Sequence, residues 1–344
     1  MQTKSSKKSI KLLIAAVAAL ILSGAAEVDA YAQSYMIQQH QPARNTVYAS
    51  KLKQQLGFLC DPICEGRGTG TRGGSEAAFW LIREFEKVGL MKIGESYGKK
   101  FYTNQGTLGR NIVGMIPGSK HVPRDKYVIV GAHYDHIGKL DGKFYPGADA
   151  NASGTIALLN IAKMVATTKM FGKTYDHNII FVAFDGKEVD MAGSKGLWKM
   201  IENGELTDPL SGKAITKDKV KLMVNIDQIG STLSPLKSGR KDFIIMLGNN
   251  SLKPSQRDLL HYCNKAYAID MEIDLTYYGS KNFTQMFYRL SDQRVFVDNG
   301  IPAVFFTSGI TLNTNKTRDT AETLDYDILR KRIYLIYHWL DKML

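Results

Sequence analysis

Apolar positions along the chain follow two different periods. Residues 43 to 58 and 74 to 89 repeat them at helical spacing, the second as EAAFWLIREFEKVG with Gly89 as its stop. From residue 111 the pattern alternates between short β-rich runs and helical stretches. NIVGMI and KYVIVGAHYD come first, followed by a helix SGTIALLNIAKMVATT, the strand HNIIFVAFDG, a helix from about Gly193, and VKLMVNID. DFIIMLGN, a helix from Pro254 to Ala268, EIDLTYY, AVFFTSG and a C-terminal helix from about Asp325 complete the series. Nearly unbroken apolar strands such as YVIVGA and IIFVAF suit a sheet covered on both faces by helices. The pattern predicts an α/β fold on a mixed, mostly parallel sheet, without a linker dividing residues 33–344 into separate domains.

Residues 1–32 have another character. Lys4, Lys7, Lys8 and Lys11 precede an apolar run from Leu12 to Leu22, and Ala30-Tyr31-Ala32 follows. A basic head, a short apolar middle and an A-x-A end describe a secretory signal peptide. Eleven apolar residues fall short of the ~20 that span a bilayer. The expectation is an exported protein, periplasmic or extracellular, cut near residue 32 and without a stable membrane anchor afterwards.

Composition adds limits. The 44% hydrophobic and 23% charged residues are those of a globular chain rather than a disordered one. The formal charge is +12, or +10 once the four lysines, Glu27 and Asp29 of residues 1–32 are removed. The basic residues are scattered, and no Lys/Arg stripe interleaved with aromatics marks a nucleic-acid groove. Cys60 and Cys64 are spaced to close a small loop in an oxidising compartment, whereas Cys263 reads as a buried free thiol. EGRGTGTRGG, residues 65–74, lacks the Gly-Lys-Ser/Thr of a phosphate loop and reads as a structural turn.

In sheets of this kind ligands bind beyond the carboxyl ends of the strands. His133 and Asp135 follow YVIVGA, Asp185 to Glu188 follow IIFVAF, and Asp227 follows LMVNI; the loop YPGADANASG adds Asp149 before a helix. One imidazole and several carboxylates suit a divalent ion, zinc first.

These segments, GAHYDH, PGADANASG, FVAFDGKEVDMAGS and VNIDQIG in this order, resemble the bacterial di-zinc aminopeptidases. That exopeptidase family also includes glutaminyl cyclases and glutamate carboxypeptidases. EGRGTGTRGG and TRDTAETLDYD resemble it as well, so the similarity runs from about residue 43 to the end. The resemblance implies a zinc-exopeptidase (phosphorylase/hydrolase-like) architecture and a peptide N-terminus as ligand. It places His133, Asp227 and bridging Asp149 on one zinc, with Asp135 behind His133. Asp149 and Glu188 would share the other zinc with a histidine from the loop before the last helix.

Two departures fall on the chemistry. The histidine position is Asn315, in Asn315-Lys-Thr-Arg-Asp-Thr, and the general-base glutamate is Lys187. An ordinary lysine is protonated at neutral pH and cannot take a proton from water. Ala150 stands where another Asp is frequent, and Gln293 where SDH is common. The reading is a secreted metallopeptidase-like protein of aminopeptidase type with one zinc, a doubtful second site, and impaired or absent hydrolysis. The alternative is a non-catalytic peptide- or metal-binding homologue. Glutaminyl cyclase ranks third, because its single zinc would use Asp149, Glu188 and the Asn315 position.

Overall fold

The computed structural model of the protein describes residues 30–119 and 125–344. The basic head and apolar run of the expected signal segment lie outside them. Residues 30–44 are helical, in helix α1, so the expected cut near residue 32 falls within helical residues. Among the described residues no helix is long and apolar enough to cross a membrane.

The helix expected over residues 43–58 is interrupted: α1 ends at residue 44 and α2 spans Ala49–Leu59. Thr46 causes the break, because both its amide and its hydroxyl donate to the Ala43 carbonyl and offer the backbone an alternative to the helical ladder. Helix α3, Arg72–Val88, starts with the Thr71 hydroxyl accepting from the Gly74 amide. It ends where Gly89 turns left-handed at φ 80°, a conformation glycine adopts without steric cost.

One nine-stranded sheet carries the fold. Its strands are β1 (Met91–Lys92), β2 (Gly98–Tyr102), β3 (Leu108–Ile116), β4 (Tyr127–His133), β7 (Asn178–Phe184), β8 (Val220–Ile226), β9 (Phe243–Leu247), β10 (Glu272–Asp274) and β11 (Ala303–Thr307). A separate hairpin pairs β5 (Lys139–Leu140) with β6 (Lys143–Phe144). The spatial order is β1-β3-β7-β4-β8-β11-β9-β10, with β2 beside β3. The central strands β7, β4, β8 and β11 run parallel; β3, β2, β1 and the β11–β9 pair supply the antiparallel edges. Every residue of β4 and β7 is buried, as their unbroken apolar sequences require.

Period-two alternation divides those side chains between two faces. Val128, Val130 and Ala132 pack with α2, α3, α4 (Gly154–Met170) and the C-terminal helix α9 (Tyr326–Met343). Tyr127 and Ile129 face the other way, toward α5 (Ala192–Glu202) and Phe296 of α8 (Gln293–Asp298).

Several boundaries shift from the sequence pattern. The segment from Pro254 divides into a short turn, Pro254–Gln256, and helix α6, Leu259–Ala266. Only Glu272–Asp274 of EIDLTYY pairs with β9, because the Asp274 carboxylate accepts from the Thr276 amide and hydroxyl and turns the chain away. Helix α7, Lys281–Phe287, and the edge strand β2 carry no strong period and went unread. Cys60, Cys64 and Cys263 are all free thiols, so the loop expected of the first two is not closed in this structure.

Two guanidiniums are buried within the fold. Arg67, 0% exposed, lies in the glycine-rich segment and donates to the carbonyls of Tyr134, Leu59, Pro146 and Gly147 at 2.6–2.8 Å. The chain passes so closely here that a Cβ on Gly66 would lie 2.5 Å from the Tyr145 carbonyl oxygen. Arg332 of α9 donates to the carbonyls of Phe243, Ile229 and Ser231. Together they fix the loops after β4 and β8.

The N-terminal helix is tied to α9 through a polar cluster. His40 Nε2 meets Asp341 Oδ2 at 3.1 Å, and Arg44 Nε donates to His338 Nε2 at 3.1 Å. His338 also stacks on Tyr267 with ring centroids 3.7 Å apart. Burial, reinforced by the Arg44 charge, holds the His338 pKa well below its ordinary value.

Two outcomes follow from this packing. Arg67→Met leaves four buried carbonyls without their donor, and should lower the unfolding free energy by roughly 3 kcal/mol or more; denaturant midpoints measure the loss. His338, neutral when folded, contributes stability that is complete above its unfolded pKa of ~6.5 and declines as pH falls below it. Between pH 6.5 and 5 the His338→Phe variant should therefore show a flatter loss of stability than wild type, by up to ~1.4 kcal/mol per pH unit. Equal slopes in thermal or chemical melts would contradict this.

Candidate functional site

The carboxyl ends of β4, β7, β8 and β11 bring together the residues singled out in the sequence. His133, the last residue of β4, is fully buried. Its Nδ1 lies 3.0 Å from the Asp135 carbonyl oxygen and 3.4 Å from Asp135 Oδ1; its Nε2 lies 3.2 Å from Asp227 Oδ1. Burial disfavours the imidazolium, but the Asp227 charge and the hydrogen bonds outweigh it and carry the His133 pKa to about 10. Asp227 is held below the ordinary carboxylate range: burial opposes its ionisation, and the His133 and Lys187 charges overcome that. Its second oxygen accepts from the Ser291 hydroxyl at 2.7 Å.

Lys187 enters from the loop after β7. Its Nζ is 3.0 Å from Glu188 Oε1, and the two side chains are 18% and 23% exposed. Partial burial disfavours the ammonium, yet Asp227, Glu188 and Asp135 together raise its pKa above the ordinary lysine value. Ion-paired with Glu188, the lysine keeps the ammonium that the side chain ordinarily carries at neutral pH. The Glu188 amide donates to Asp135 Oδ2 at 3.0 Å, which anchors the loop to the residue beside His133.

Asp149 occupies the widened helical turn Ala148–Ser153 that leads into α4. Its Oδ1 accepts from the amides of Gly230 and Ser231, at 2.7 and 3.1 Å, and from the Ser153 hydroxyl. Its Oδ2 is buried without a hydrogen-bond partner. Burial and the neighbouring Asp319 charge raise its carboxyl to about 7, against the Gly230 amide. Asp319 accepts from the amides of Asp149 and Ala150, at 2.9 and 3.1 Å, and so holds this turn from the last loop.

A cavity of about 200 Å³ opens beside these groups. Lys187, Asp227 and Asn315 all line it, so both substituted positions face one space. Asn315 stands at φ 58° on an exposed part of the loop. Phe287, Leu290, Phe305 and Ile310 supply apolar wall, and Tyr277 stacks on Phe287 with centroids 3.7 Å apart.

The donor set can be compared with the metal that the sequence resemblance implies. Among the described residues, no three His, Cys, Asp or Glu side chains gather closely enough to hold an ion. His133 and Asp227 touch, and the unpartnered Asp149 Oδ2 is a free buried donor, although Asp149 turns its other oxygen toward Gly230 and Ser231. Those three residues have the donor chemistry for one ion, although their side chains are not gathered around a common point in this structure. A second does not fit: Glu188 is paired with an ammonium, and Asn315 supplies no imidazole.

Some residues of the site were not found from sequence. Asp185 follows β7 as expected, but it serves the glycine-rich segment and β3, accepting from the Thr69 hydroxyl and the Arg110 amide. Gln293 accepts from the Asn225 amide group, which also donates to Ser291 and thereby braces the Ser291–Asp227 bond. Burial of Asp292 raises its carboxyl to about 7. Ser291 and Asp292 directly precede Gln293 and Asp319 follows Asn315 by four residues, so the resembling motifs contained all three without showing what each one bonds.

The comparisons agree with this geometry. A Trichophyton verrucosum protein named as a leucine aminopeptidase is 28% identical, and the match covers 74% of this chain and 62% of that protein. The chain thus spans about three fifths of the length of such relatives. Among solved structures, the LapA aminopeptidase of Legionella pneumophila superposes with a TM-score of 0.65 at 17% identity, covering 89% of this chain and 74% of that one. A zinc aminopeptidase from Bacillus subtilis gives 0.50 at 17% identity, covering 69% and 50%. These likenesses establish a shared fold. The description of peptidase family M28 matches residues 111–340, which include every strand end of the site, and the chain belongs to that family.

Proposed function

We propose that this protein is an exported M28-family member of aminopeptidase type that engages peptide ends while its hydrolytic chemistry is impaired or absent. Residues 1–32 act as the cleaved signal, and 33–344 form one domain. The observation that carries the reading is the Lys187 ammonium, 3.0 Å from Glu188 and facing the Asp227 cavity. Its charge is held in place by the carboxylates around it, so no proton acceptor stands where the family has one.

The family, and a zinc aminopeptidase among the fold neighbours, support zinc as the metal. His133, Asp149 and Asp227 would hold at most one ion, which would supply Lewis acidity toward a peptide carbonyl. The chain's own groups do the remaining work. Asp135 orients the His133 ring and the Glu188 amide, Ser291 and His133 fix Asp227, and the apolar wall accommodates a side chain. Lys187 adds positive charge that opposes a second cation.

Three measurements check the reading. Purified protein should retain no more than one zinc per chain after dialysis, and His133→Ala should abolish that binding by removing the imidazole. Lys187→Glu restores a base without completing the second metal site, and Asn315→His restores a ligand still facing the ammonium. The double variant should therefore gain more zinc, and more hydrolysis of an aminoacyl substrate, than the two single effects combined. Wild type that already turns over as fast as the double variant would sink the reading. N-terminal sequencing of exported protein should begin near residue 33; Met1 on that protein would contradict the signal.

A further inference from the structure

The polar lining of the 200 Å³ cavity is rich in donors. Lys187 spends one contact on Glu188 Oε1, and an ammonium has three hydrogens to give. Gln228 accepts the Thr314 hydroxyl on Oε1 at 2.9 Å, and its amide nitrogen has no acceptor among the described residues. The Tyr277 oxygen accepts from the Ile310 amide at 3.0 Å, leaving the phenol's own hydrogen without an acceptor among those residues. Three donors from three segments thus border one space.

The charged acceptor in the lining is already engaged, and Asn315 adds a neutral carboxamide that can both give and accept. Asp227 is the carboxylate in the lining, and its two oxygens take the His133 imidazole and the Ser291 hydroxyl. An arriving amine would therefore meet a cation and an occupied carboxylate. An arriving carboxylate would meet unspent donors, one of them charged. Charge-assisted hydrogen bonds of this kind are stronger than neutral ones. Aromatic and aliphatic side chains make up much of the remaining wall, and the volume has room for a side chain with its terminal group.

We propose that this cavity binds a free carboxylate carried on an apolar residue, as at the carboxyl end of a peptide terminating in leucine or phenylalanine. Lys187 and Gln228 receive the carboxylate, and Tyr277, Phe287 and Phe305 enclose the side chain. The inference rests on the reading that the Lys187 ammonium, ion-paired with Glu188 and lining the cavity, stands at the base position. It deepens that reading by naming which peptide end the site selects: the acid end, in place of the amine end.

Calorimetric titration of the full protein at pH 7 provides the test, with three probes: N-acetyl-Ala-Leu as the free acid, the same peptide as its amide, and leucinamide, which carries an amine and no carboxylate. The acid should bind at least about tenfold more tightly than either amide, the worth of one charge-assisted hydrogen bond. Lys187→Met should reduce that ratio to near one. Gln228→Glu, which leaves Lys187 in place and preserves the acceptor for Thr314, should weaken the acid about tenfold by like-charge repulsion and leave the amide unchanged. Circular dichroism melts confirm that each variant is folded, and the Gln228 variant decides the matter if the Lys187 variant is not. Free N-acetyl-leucine, run alongside, separates recognition of a peptide end from recognition of a lone acyl amino acid; binding as tight as the peptide's supports the same carboxylate chemistry from the smaller source.

Equal or tighter binding of leucinamide, or no acid binding at all, overturns the proposal. Loss of the acid preference after treatment with a chelator also overturns it, because a metal and not Lys187 would then be reading the carboxylate. Turnover of an aminoacyl substrate is scored separately. A hydrolytically silent protein that prefers leucinamide refutes this inference and spares the functional reading, whereas an active one that prefers the acid does the reverse.

Discussion

Two buried guanidiniums, entering from opposite ends of the chain, hold the loops on which the site is built. Arg67 gathers the carbonyls of Tyr134, Pro146 and Gly147, which flank Asp135 and Asp149. Arg332 gathers those of Ile229 and Ser231, between which the Gly230 amide reaches Asp149. Loop carbonyls buried beside a packed sheet would be costly without donors, and a planar guanidinium can satisfy several at once. Removing either arginine would release backbone before it released any side chain of the site.

Within that frame the site behaves as a balance of charge. His133, Asp135, Asp227 and Glu188 form a group of carboxylates around one imidazole, which in a metal-dependent fold would be neutralised by bound cations. Here the chain supplies positive charge of its own. Lys187 pairs with Glu188, and the His133 imidazole pairs with Asp227. On the proposed reading, the lysine that stands at the base position also lessens the need for a second metal. Such pairing places an ammonium in the lining of the cavity beside Asp227.

The neighbouring loops show how much of the arrangement depends on backbone amides. Asp149 accepts from Gly230 and Ser231, Asp319 from Asp149 and Ala150, and Asp185 from Arg110. These carboxylates serve as pins between loops. A carboxylate at a strand end is therefore poor evidence for metal binding until its partners are known, and Asp185 illustrates the point: its position resembles that of the site residues, but its bonds go to Thr69 and Arg110.

The sequence by itself determined the elements whose signal is local. Unbroken apolar runs marked β4 and β7, Gly89 marked the end of α3, and the ordered motifs marked the family and the positions Lys187 and Asn315. It misjudged segments where a side chain competes with the backbone: Thr46 breaks one long helix into two, and Asp274 cuts a strand to three residues. Tertiary structure alone decided what each polar group pairs with. It turned Asp149 toward Gly230, braced Asp227 with Ser291 and placed Gln228 and Tyr277 in the same cavity as Lys187. Periodicity reports burial, which depends on near neighbours along the chain. Partners such as Ser291 for Asp227 and Asp319 for the Asp149 amide lie 64 and 170 residues apart in the chain, and those distances are set only when the sheet and its covering helices have closed.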